Sequence, residues 1–258
     1  MNKIIRSLLL QSPQAYKFIH NFKNNNLLNF YLKKVHEPDF KAFKLICDQK
    51  PQLFVDIGAN VGMSALSFFT LKPNAQVISF EPNPINYPYL DKISNKFVNF
   101  QYLKVGLGDR AGILDFYYPV YNGKEMTALG SCNYHQANSW LSDRTVFFFD
   151  PQKLEIRKIT IEINTLDSYH LQPDFIKIDV EGFEYQVLLG AKQTISNFRP
   201  ILLIEGVASG DKVAQLLQTW EYNIYKFEQN KFWSNDFNCP NNFFIPQEKT
   251  DLIKAYCA

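Results

Sequence analysis

The chain has 258 residues, of which 46% are hydrophobic and 16% aromatic, enough to bury a substantial core and to exclude an intrinsically disordered protein. A formal net charge of +2 without a long Lys/Arg run provides no basic footprint, so we expect no nucleic-acid partner. Cys47, Cys132, Cys239 and Cys257 form no C-x-x-C pair and have no histidine at ligand spacing. This argues against a zinc site or a disulfide framework and predicts reduced thiols in a cytoplasmic protein.

The first 50 residues are rich in Lys, Asn and aromatic residues and predict an N-terminal helical cap, packed on the sheet edge or over the cleft. The helical spacings are Tyr16, Ile19 and His20, and then Phe40, Phe43 and Leu45. The apolar run at residues 4–10 is interrupted by Arg6 and lacks the length of a membrane span or the cleavage site of a signal peptide. We therefore expect neither.

The run LFVDIGANVG, from Leu53 to Gly62, predicts a buried strand, a turn and a helix. Its apolar start is typical of a strand in a parallel sheet, which ends at Asp56 and Gly58. Gly58 and Gly62 allow a tight turn and a close approach of the backbone to a ligand. From Gly62 the apolar positions recur at helical spacing, so free amide groups of a helix would face that ligand.

Further apolar runs alternate with helical segments up to residue 205, which predicts an α/β fold with a doubly wound, parallel, Rossmann-like sheet. The predicted strands are Phe54–Val55, Val77–Phe80, Phe100–Val105, Phe175–Ile178 and Ile201–Ile204. Period-two patches between residues 113 and 163 predict a β insertion near the substrate side, and residues 223–227 and 243–245 a final strand pair after a helix at 213–220. We expect one domain over residues 51–258.

Two residues, one after each of the first two predicted strands, indicate the type of ligand. Asn60 occupies the place of the middle glycine of a G-x-G-x-x-G dinucleotide site, which favours a ligand without a pyrophosphate, such as S-adenosylmethionine (SAM). Glu81 ends the next strand in FEPNP and can accept hydrogen bonds from both ribose hydroxyls. Because NAD also has such a ribose, Glu81 does not distinguish NAD from SAM. A plain βα turn is the alternative.

Five blocks of the sequence, in order, closely resemble the FkbM family of SAM-dependent methyltransferases. They are VDIGANVG (55–62), FEPNP (80–84), GLGDR (106–110), NTLDSY (164–169) and FIKIDVEGFEYQVLLGAKQTI with RPILLIEG (175–195 and 199–206). The resemblance implies a class I methyltransferase with a seven-stranded sheet, SAM as cofactor and S-adenosylhomocysteine as product. It also implies O-methylation of a hydroxyl on a sugar, glycan, glycolipid or polyketide-type product.

The resemblance places the cofactor on the first two strand ends and on the loop that holds the adenine amine. The expected cofactor-binding residues are Asp56, Gly58, Ala59, Asn60, Gly62, Glu81, Pro82, Asn83, Gly108 and Asp109. Asp109 is otherwise a surface aspartate.

Three carboxylates follow the strands that would line the acceptor side of the cleft. Asp179 is expected as the base or acceptor-positioning group, supported by Glu181 and Glu205. Their mutual repulsion would raise a pKa or recruit Lys177 or a cation. Mg²⁺ would suit such oxygen ligands, but nothing in the sequence requires a metal. Alternatively, Glu181 caps the next helix and Glu205 pairs with Lys177 or Arg199.

His135, in the insertion, could be a base above the acceptor, although a lone loop histidine is more often a solvated surface group. Two other functions remain open: an NAD-dependent Rossmann oxidoreductase, and a catalytically silent SAM-binding or assembly module. We expect a small-molecule or glycan acceptor as partner and leave a homodimer open.

Overall fold

The computed structural model describes residues 35–46 and 52–258. The helical positions expected at Tyr16, Ile19 and His20 lie outside these residues. Within them, a short 3-10 helix (Pro38–Ala42) leads into α1 (Phe43–Ile46). The remaining α-helices of the described residues are α2 (Met63–Leu71), α3 (Tyr87–Ser94), α4 (Tyr134–Ser139), α5 (Glu184–Gly190), α6 (Lys192–Phe198) and α7 (Lys212–Thr219).

Strands form two sheets in the described part of the chain. They are β1 (Leu53–Ile57), β2 (Gln76–Phe80), β3 (Phe100–Leu103), β4 (Gly106–Leu107), β5 (Gly112–Tyr121), β6 (Lys124–Glu125), β7 (Leu154–Asn164), β8 (Phe175–Ile178), β9 (Ile201–Glu205), β10 (Tyr222–Glu228), β11 (Lys231–Ser234) and β12 (Asn241–Pro246). The five parallel strands expected from the sequence are confirmed as β1, β2, β3, β8 and β9, and the final pair as β10 and β12.

The large sheet has the order β11-β10-β12-β9-β8-β1-β2-β3. Strand β12 runs antiparallel to both β9 and β10, as in the predicted methyltransferase topology. The expected count of seven strands is wrong, because β11 adds an eighth at the edge through a tight turn at Gln229 and Asn230, both at positive φ. Of the four β11 residues only Phe232 is buried, so the sequence shows no alternation that would reveal this strand.

Apolar side chains cover both faces of the large sheet, which makes it doubly wound. Phe54 packs on one face with α1 and α2, whereas Val55 and Ile57 pack on the other with α5, α6 and α7. Phe43 is central to the first face, since its ring centroid lies 5.2–5.8 Å from five other phenylalanine rings. The described part of the N-terminal region therefore packs against the sheet face.

The expected β insertion forms the second sheet, in the order β4-β7-β5-β6. Its two long strands, β5 and β7, pair antiparallel from Gly112–Ile163 to Tyr121–Leu154. In the large sheet, the chain begins at β1, adds β2 and β3 on one side, and returns to add β8 and β9 on the other. A crevice therefore opens at the carboxyl ends of β1 and β8, where ligands bind in open α/β sheets.

Candidate active site

A cleft of about 310 Å³ lies at the carboxyl ends of β1, β2, β8 and β9. This volume is at the lower end of the roughly 300–1,000 Å³ typical of small-molecule sites. The polar residues of its lining are His36, Glu37, Asn60, Ser64, Glu81, Asn86, Cys132, Asp179, Glu181 and Glu205. Because these residues come from both halves of the sheet and from the segment before α1, the cleft exists only in the folded chain.

The turn between β1 and α2 forms the floor of the cleft. Gly58 has φ 87° and Asn60 φ 49°, and the amides of Gly58 and Ala59 both donate to the carbonyl oxygen of Phe80. A Cβ on Gly58 would lie 1.8 Å from the carbonyl oxygen of Asp179. The sequence suggested that this glycine makes room for a ligand, but the protein's own backbone takes that room. Asparagine tolerates the left-handed conformation at residue 60 better than most residues.

Glu81 holds the turn and the end of β2 together. Its carboxylate accepts hydrogen bonds from the backbone amides of Asn60 at 2.6 Å and Asn83 at 2.8 Å, and from the side chain of Asn86. Burial raises the pKa of Glu81 to about 7, although the hydrogen bonds oppose this shift. These three bonds fill three of the roughly four acceptor positions of the carboxylate, so one lone pair remains for a further donor in the cleft.

Two buried acceptors beside Glu81 lack a hydrogen-bond donor among the described residues. They are Oδ1 of Asn60 and Oδ1 of Asn86, and both residues line the cleft. A buried polar atom without a partner costs free energy, and such an atom in a cleft indicates that a ligand completes its bonding. With Glu81 they form a set of acceptors that fits a ligand bearing several hydroxyl or amino donors.

Asp56 lies beneath this floor and does not line the cleft. It is fully buried, accepts a 3.2 Å hydrogen bond from Ser79 Oγ, and has a second oxygen without a donor among the described residues. Burial raises the pKa of Asp56 to about 6, while nearby Lys177 acts against this shift.

Lys177, Asp179 and Glu205 form a charged group at the ends of β8 and β9. Lys177 Nζ is buried and donates to Asp179 Oδ2 at 2.6 Å, while Glu205 is hydrogen-bonded to Asp179. Burial followed by the neighbouring Asp179 raises the pKa of Glu205 to about 9, so Glu205 is neutral at pH 7 and donates to Asp179. Although burial opposes it, Lys177 holds the pKa of Asp179 below its usual range. Recruitment of Lys177 and a raised carboxyl pKa, both expected from the sequence, therefore occur together.

Glu181 lies between this group and the insertion. Its φ is 50°, in the left-handed region, and its carbonyl oxygen accepts a 2.9 Å hydrogen bond from Ser131 Oγ. Burial, followed by repulsion from Asp179 and Glu184, raises the pKa of Glu181 to about 7. Glu181 does not cap α5, because the N-cap residue of that helix is Phe183 and no side-chain hydrogen bond among the described residues caps it. Arg199 pairs with Glu248 rather than with Glu205.

His36 and Glu37 also line the cleft, and the sequence did not identify them. Ser67 positions His36. The Oγ atom of Ser67 lies 2.7 Å from Nδ1 of His36 and accepts a 2.9 Å hydrogen bond from the His36 backbone amide. Burial, with a contribution from Lys177, lowers the pKa of His36 to about 4, so the ring is neutral. Glu37 accepts from Asn241 Nδ2 at 3.2 Å. Neither residue belongs to a recognisable motif, so only the contacts across the fold reveal them.

The insertion supplies the mostly apolar wall opposite the turn. Its lining residues are Phe116, Ala128, Gly130, Cys132, Ile161 and Ile163. Ser131 and Gln136 connect this wall to the loop after β8, since Ser131 Oγ bonds to both Glu181 and Gln136. An insertion at the strand ends thus closes one side of the cleft, where the sequence expected the substrate side.

The structure does not bring all of the expected site residues into the cleft. Of the cofactor set, Gly58, Ala59, Asn60, Glu81 and Pro82 line it, whereas Asp56, Gly62, Asn83, Gly108 and Asp109 do not. Gly62 instead packs against Ile93, and Gly108 packs against Gly190, where a Cβ would meet the Gly108 carbonyl. Asp109 is exposed. Lys177 lies behind Asp179 and reaches the cleft only through it.

His135 lies on α4 and is exposed, outside the cleft lining. The position fits the solvated surface histidine that was the alternative interpretation, and it gives no support to a base above the acceptor. The cysteine three residues earlier, Cys132, lies in the lining instead. Burial raises the pKa of its thiol to about 11, so this side chain is a neutral wall residue.

Within residues 35–46 and 52–258, no three His, Cys, Asp or Glu side chains are arranged to hold a metal ion. Over the same ranges, no helix combines the length and apolar character that crossing a bilayer requires.

Comparison with known proteins decides the family. A family model described as the methyltransferase FkbM domain matches residues 56–244, a span that runs from the end of β1 into β12 and includes the insertion. The chain belongs to the FkbM methyltransferase family. The resemblance seen in the five sequence blocks is thereby confirmed.

Two curated relatives carry methyltransferase names. The chain is 30% identical over 159 residues to the 2-O-methyltransferase NoeI of Sinorhizobium fredii, covering 58% of this chain and 62% of the relative. It is 27% identical over 158 residues to the methyltransferase sdnD of Sordaria araneosa, covering 54% and 60%. The chain thus spans about three-fifths of the length of these relatives.

Among solved structures, the chain is similar to an FkbM methyltransferase from Methylobacillus flagellatus. The TM-score is 0.48 at 20% identity, and the match covers 75% of this chain and 43% of that one.

Proposed function

We propose that this FkbM-family chain is a SAM-dependent O-methyltransferase. In this proposal the acceptor is a hydroxyl of a sugar, a glycan or a glycosylated or polyketide-type natural product, and S-adenosylhomocysteine is the second product. The observation that carries the proposal is the set of acceptors around Glu81, which meets the needs of an adenosyl ligand. Family membership supports the methyl-transfer reaction, and the name of the 2-O-methyltransferase relative supports oxygen as the acceptor atom.

Both polar and apolar residues support the fit of SAM to the end of the cleft that contains Glu81. Glu81 and the donorless oxygens of Asn60 and Asn86 offer hydrogen-bond acceptors for ribose hydroxyls. Apolar lining residues lie beside them for a purine ring; they are Phe80, Pro82, Leu107, Ile163 and Phe183. The side chain of Asn60 leaves less room for a pyrophosphate than a glycine would, which favours SAM over NAD.

A polyol-type acceptor is supported by the charge of the other end of the cleft. Glu37, Asp179, Glu181 and Glu205 line it together with the neutral His36. These groups supply several hydrogen-bond acceptors, and the protonated Glu205 adds a donor, so they suit a molecule with neighbouring hydroxyls. The apolar wall of the insertion offers a surface for the C–H face of a sugar ring.

When bound, SAM supplies an electrophilic methyl group on a positively charged sulfur. The chain's own contribution is to align the acceptor oxygen with that group and to exclude water. Since an alcohol has a pKa far above neutrality, a carboxylate near the acceptor oxygen would also help by taking its proton, by about 10²- to 10⁴-fold. The acidic end of the cleft provides such carboxylates.

Isothermal titration of the protein with SAM tests the proposal. We expect wild type to bind SAM and Glu81→Ala to lose most of the affinity, because the variant removes the carboxylate and frees the Asn60 turn. Glu162→Ala, an exposed glutamate on β7, is the matched control and should bind as wild type does. Absence of binding by wild type, or unchanged binding by Glu81→Ala, would contradict the proposal. Tight NADH binding without SAM binding would indicate the oxidoreductase instead.

A further inference from the structure

We propose that Glu181, rather than Asp179, is the general base that accepts the proton of the acceptor hydroxyl. The inference rests on the proposed function and assigns one residue a role within it. From the sequence, Asp179 is the expected base because it stands at the strand end. The hydrogen bonds of the carboxyl groups in the cleft favour Glu181 instead.

Among the described residues, five carboxyl side chains line the cleft: Glu37, Glu81, Asp179, Glu181 and Glu205. Four of them already have partners in the protein. Glu81 accepts from two backbone amides, and Glu37 accepts from Asn241. Asp179 accepts from Lys177 and Glu205, and the protonated Glu205 donates to Asp179. These bonds use the lone pairs or the proton that a catalytic group would need.

Glu181 alone among these five has a carboxylate with no hydrogen-bond or ion-pair partner among the described residues. The hydrogen bond at this residue is made by the main chain, where the carbonyl oxygen accepts from Ser131 Oγ at 2.9 Å. The side chain is half-buried and lines the cleft. It is therefore positioned by its backbone and free to take up a proton from a ligand.

The backbone around Glu181 is held in a conformation that costs free energy. A left-handed glutamate costs roughly 1–2 kcal/mol, and such residues persist where the surrounding structure fixes them, often at functional sites. The fixing contacts come from both sides. The Asp179 amide donates to Ile57 at 3.0 Å, its carbonyl packs on Gly58, and Ser131 holds Glu181 from the insertion.

The charges around Glu181 suit a base that works near neutrality. Asp179 on the same loop, Glu184 on α5 and Glu205 on β9 are its acidic neighbours, and Lys177 on β8 is the nearby cation. Burial and the acidic neighbours raise the pKa of Glu181 to about 7, whereas Lys177 holds that of Asp179 low. Because basicity follows pKa, the Asp179 carboxylate is the weaker base of the two.

In the proposed step, methyl transfer and removal of the acceptor proton occur together. The acceptor oxygen forms a bond to the methyl carbon while the carbon–sulfur bond breaks, and the electron pair of that bond stays on sulfur. The proton of the acceptor hydroxyl moves to a carboxylate oxygen of Glu181. Release of this proton to solvent restores the base for the next turnover.

The first arm of the test needs no turnover. In protein labelled with ¹³C at the glutamate carboxyl, the resonance that disappears in Glu181→Gln belongs to Glu181. We expect its titration midpoint in wild type at about 7. A midpoint near the ordinary glutamate value of about 4.3 would overturn the proposal.

The second arm measures methyl transfer from tritium-labelled SAM to a panel of neutral monosaccharides and their methyl glycosides. We expect Glu181→Gln to bind SAM as wild type does but to lower kcat by about 10²- to 10⁴-fold. Its pH profile of kcat/KM should lose the limb that rises near neutrality, whereas a limb due to Glu81 would remain. Glu181→Asp should restore part of the rate.

Glu184→Gln is the matched control, because it removes a neighbouring charge while its amide oxygen can still accept from Gly182. It should bind SAM as wild type does, lower the Glu181 midpoint, and move the rising limb of the kcat/KM profile to lower pH with that midpoint. If Glu181→Gln keeps kcat within about tenfold of wild type, Glu181 is not the base, even though the methyltransferase assignment stands. Failure of wild type to bind SAM would instead reject the proposed function itself.

Discussion

The ammonium group of Lys177 donates a 2.6 Å hydrogen bond to the carboxylate of Asp179, two residues further along the chain. Lys177 is 1% exposed and cannot reach solvent, whereas Asp179 opens onto the cleft. The pair therefore fixes a negative charge at the cleft and neutralises a buried positive one. Because Asp179 must stay ionised to neutralise Lys177, it is better suited to positioning the acceptor than to taking up its proton.

Asp179→Asn should destabilise the fold by about 3–5 kcal/mol, because it leaves the buried Lys177 charge without its partner. Urea unfolding at neutral pH measures this loss. Asp115→Asn is the matched control: Asp115 pairs with Lys158 at 3.2 Å on the surface, and its loss should cost less than about 1 kcal/mol. The double variant Lys177→Met/Asp179→Asn should recover much of the stability. Equal losses of stability in Asp179→Asn and Asp115→Asn would contradict the description of Lys177 and Asp179 as a buried ion pair.

Glu205→Gln should remove a pH dependence of stability. The pKa of Glu205 is raised from 4.5 to about 9, so between these values the folded state holds a proton that the unfolded state releases. Stability therefore falls as pH rises through this window, by at most about 1.4 kcal/mol per pH unit. The side-chain amide of the variant would donate to Asp179 at every pH.

Urea unfolding between about pH 7.5 and 9 isolates this effect. Among the other raised carboxyl pKa values, those of Asp56, at about 6, and of Glu81 and Glu181, at about 7, lie below this range. Wild type should lose stability across the range and Glu205→Gln should not. Parallel slopes for the two proteins would show that Glu205 is not the proton carrier.

Gly58→Ala should be far more destabilising than Gly123→Ala, although both glycines have positive φ. The new methyl group at residue 58 would lie 1.8 Å from the Asp179 carbonyl oxygen, whereas nothing lies within 4 Å at residue 123. We expect roughly 3–5 kcal/mol for the first, from strain and overpacking together, and about 1–2 kcal/mol for the second.

Thermal or urea unfolding compares the two alanine variants. SAM titration provides a second readout, since displacement of the loop after β8 should also weaken binding in Gly58→Ala but not in Gly123→Ala. Similar losses of stability in both variants would mean that only the backbone conformation matters at residue 58.

The strands could be predicted because their signals are local. Leu53–Ile57 and Phe175–Ile178 are short apolar runs that end in polar turns, and parallel strands buried on both faces require this pattern. Strand β11 escaped prediction because one buried residue in four leaves no periodic signal.

Half of the candidate cofactor set could be placed in the same way, since Asn60 and Glu81 follow strands directly. The remainder depended on contacts between distant segments. Asp109 follows a strand end but is exposed, and His36 lines the cleft although no motif in the sequence marks it. Sequence spacing carries no information about such contacts.

The sequence by itself determined the order of strands and helices, the family and the group of acids at the strand ends, because these follow from hydrophobic pattern and local motifs. Only the tertiary structure decided which of those acids are bonded to other residues of the protein and which carboxylate the described residues leave unbonded in the cleft. Lys177, Asp179 and Glu205 bond to one another across neighbouring strands, and Ser131 holds the backbone of Glu181 from 50 residues away. A carboxylate's basicity depends on its burial and partners, and these exist only once the chain has folded.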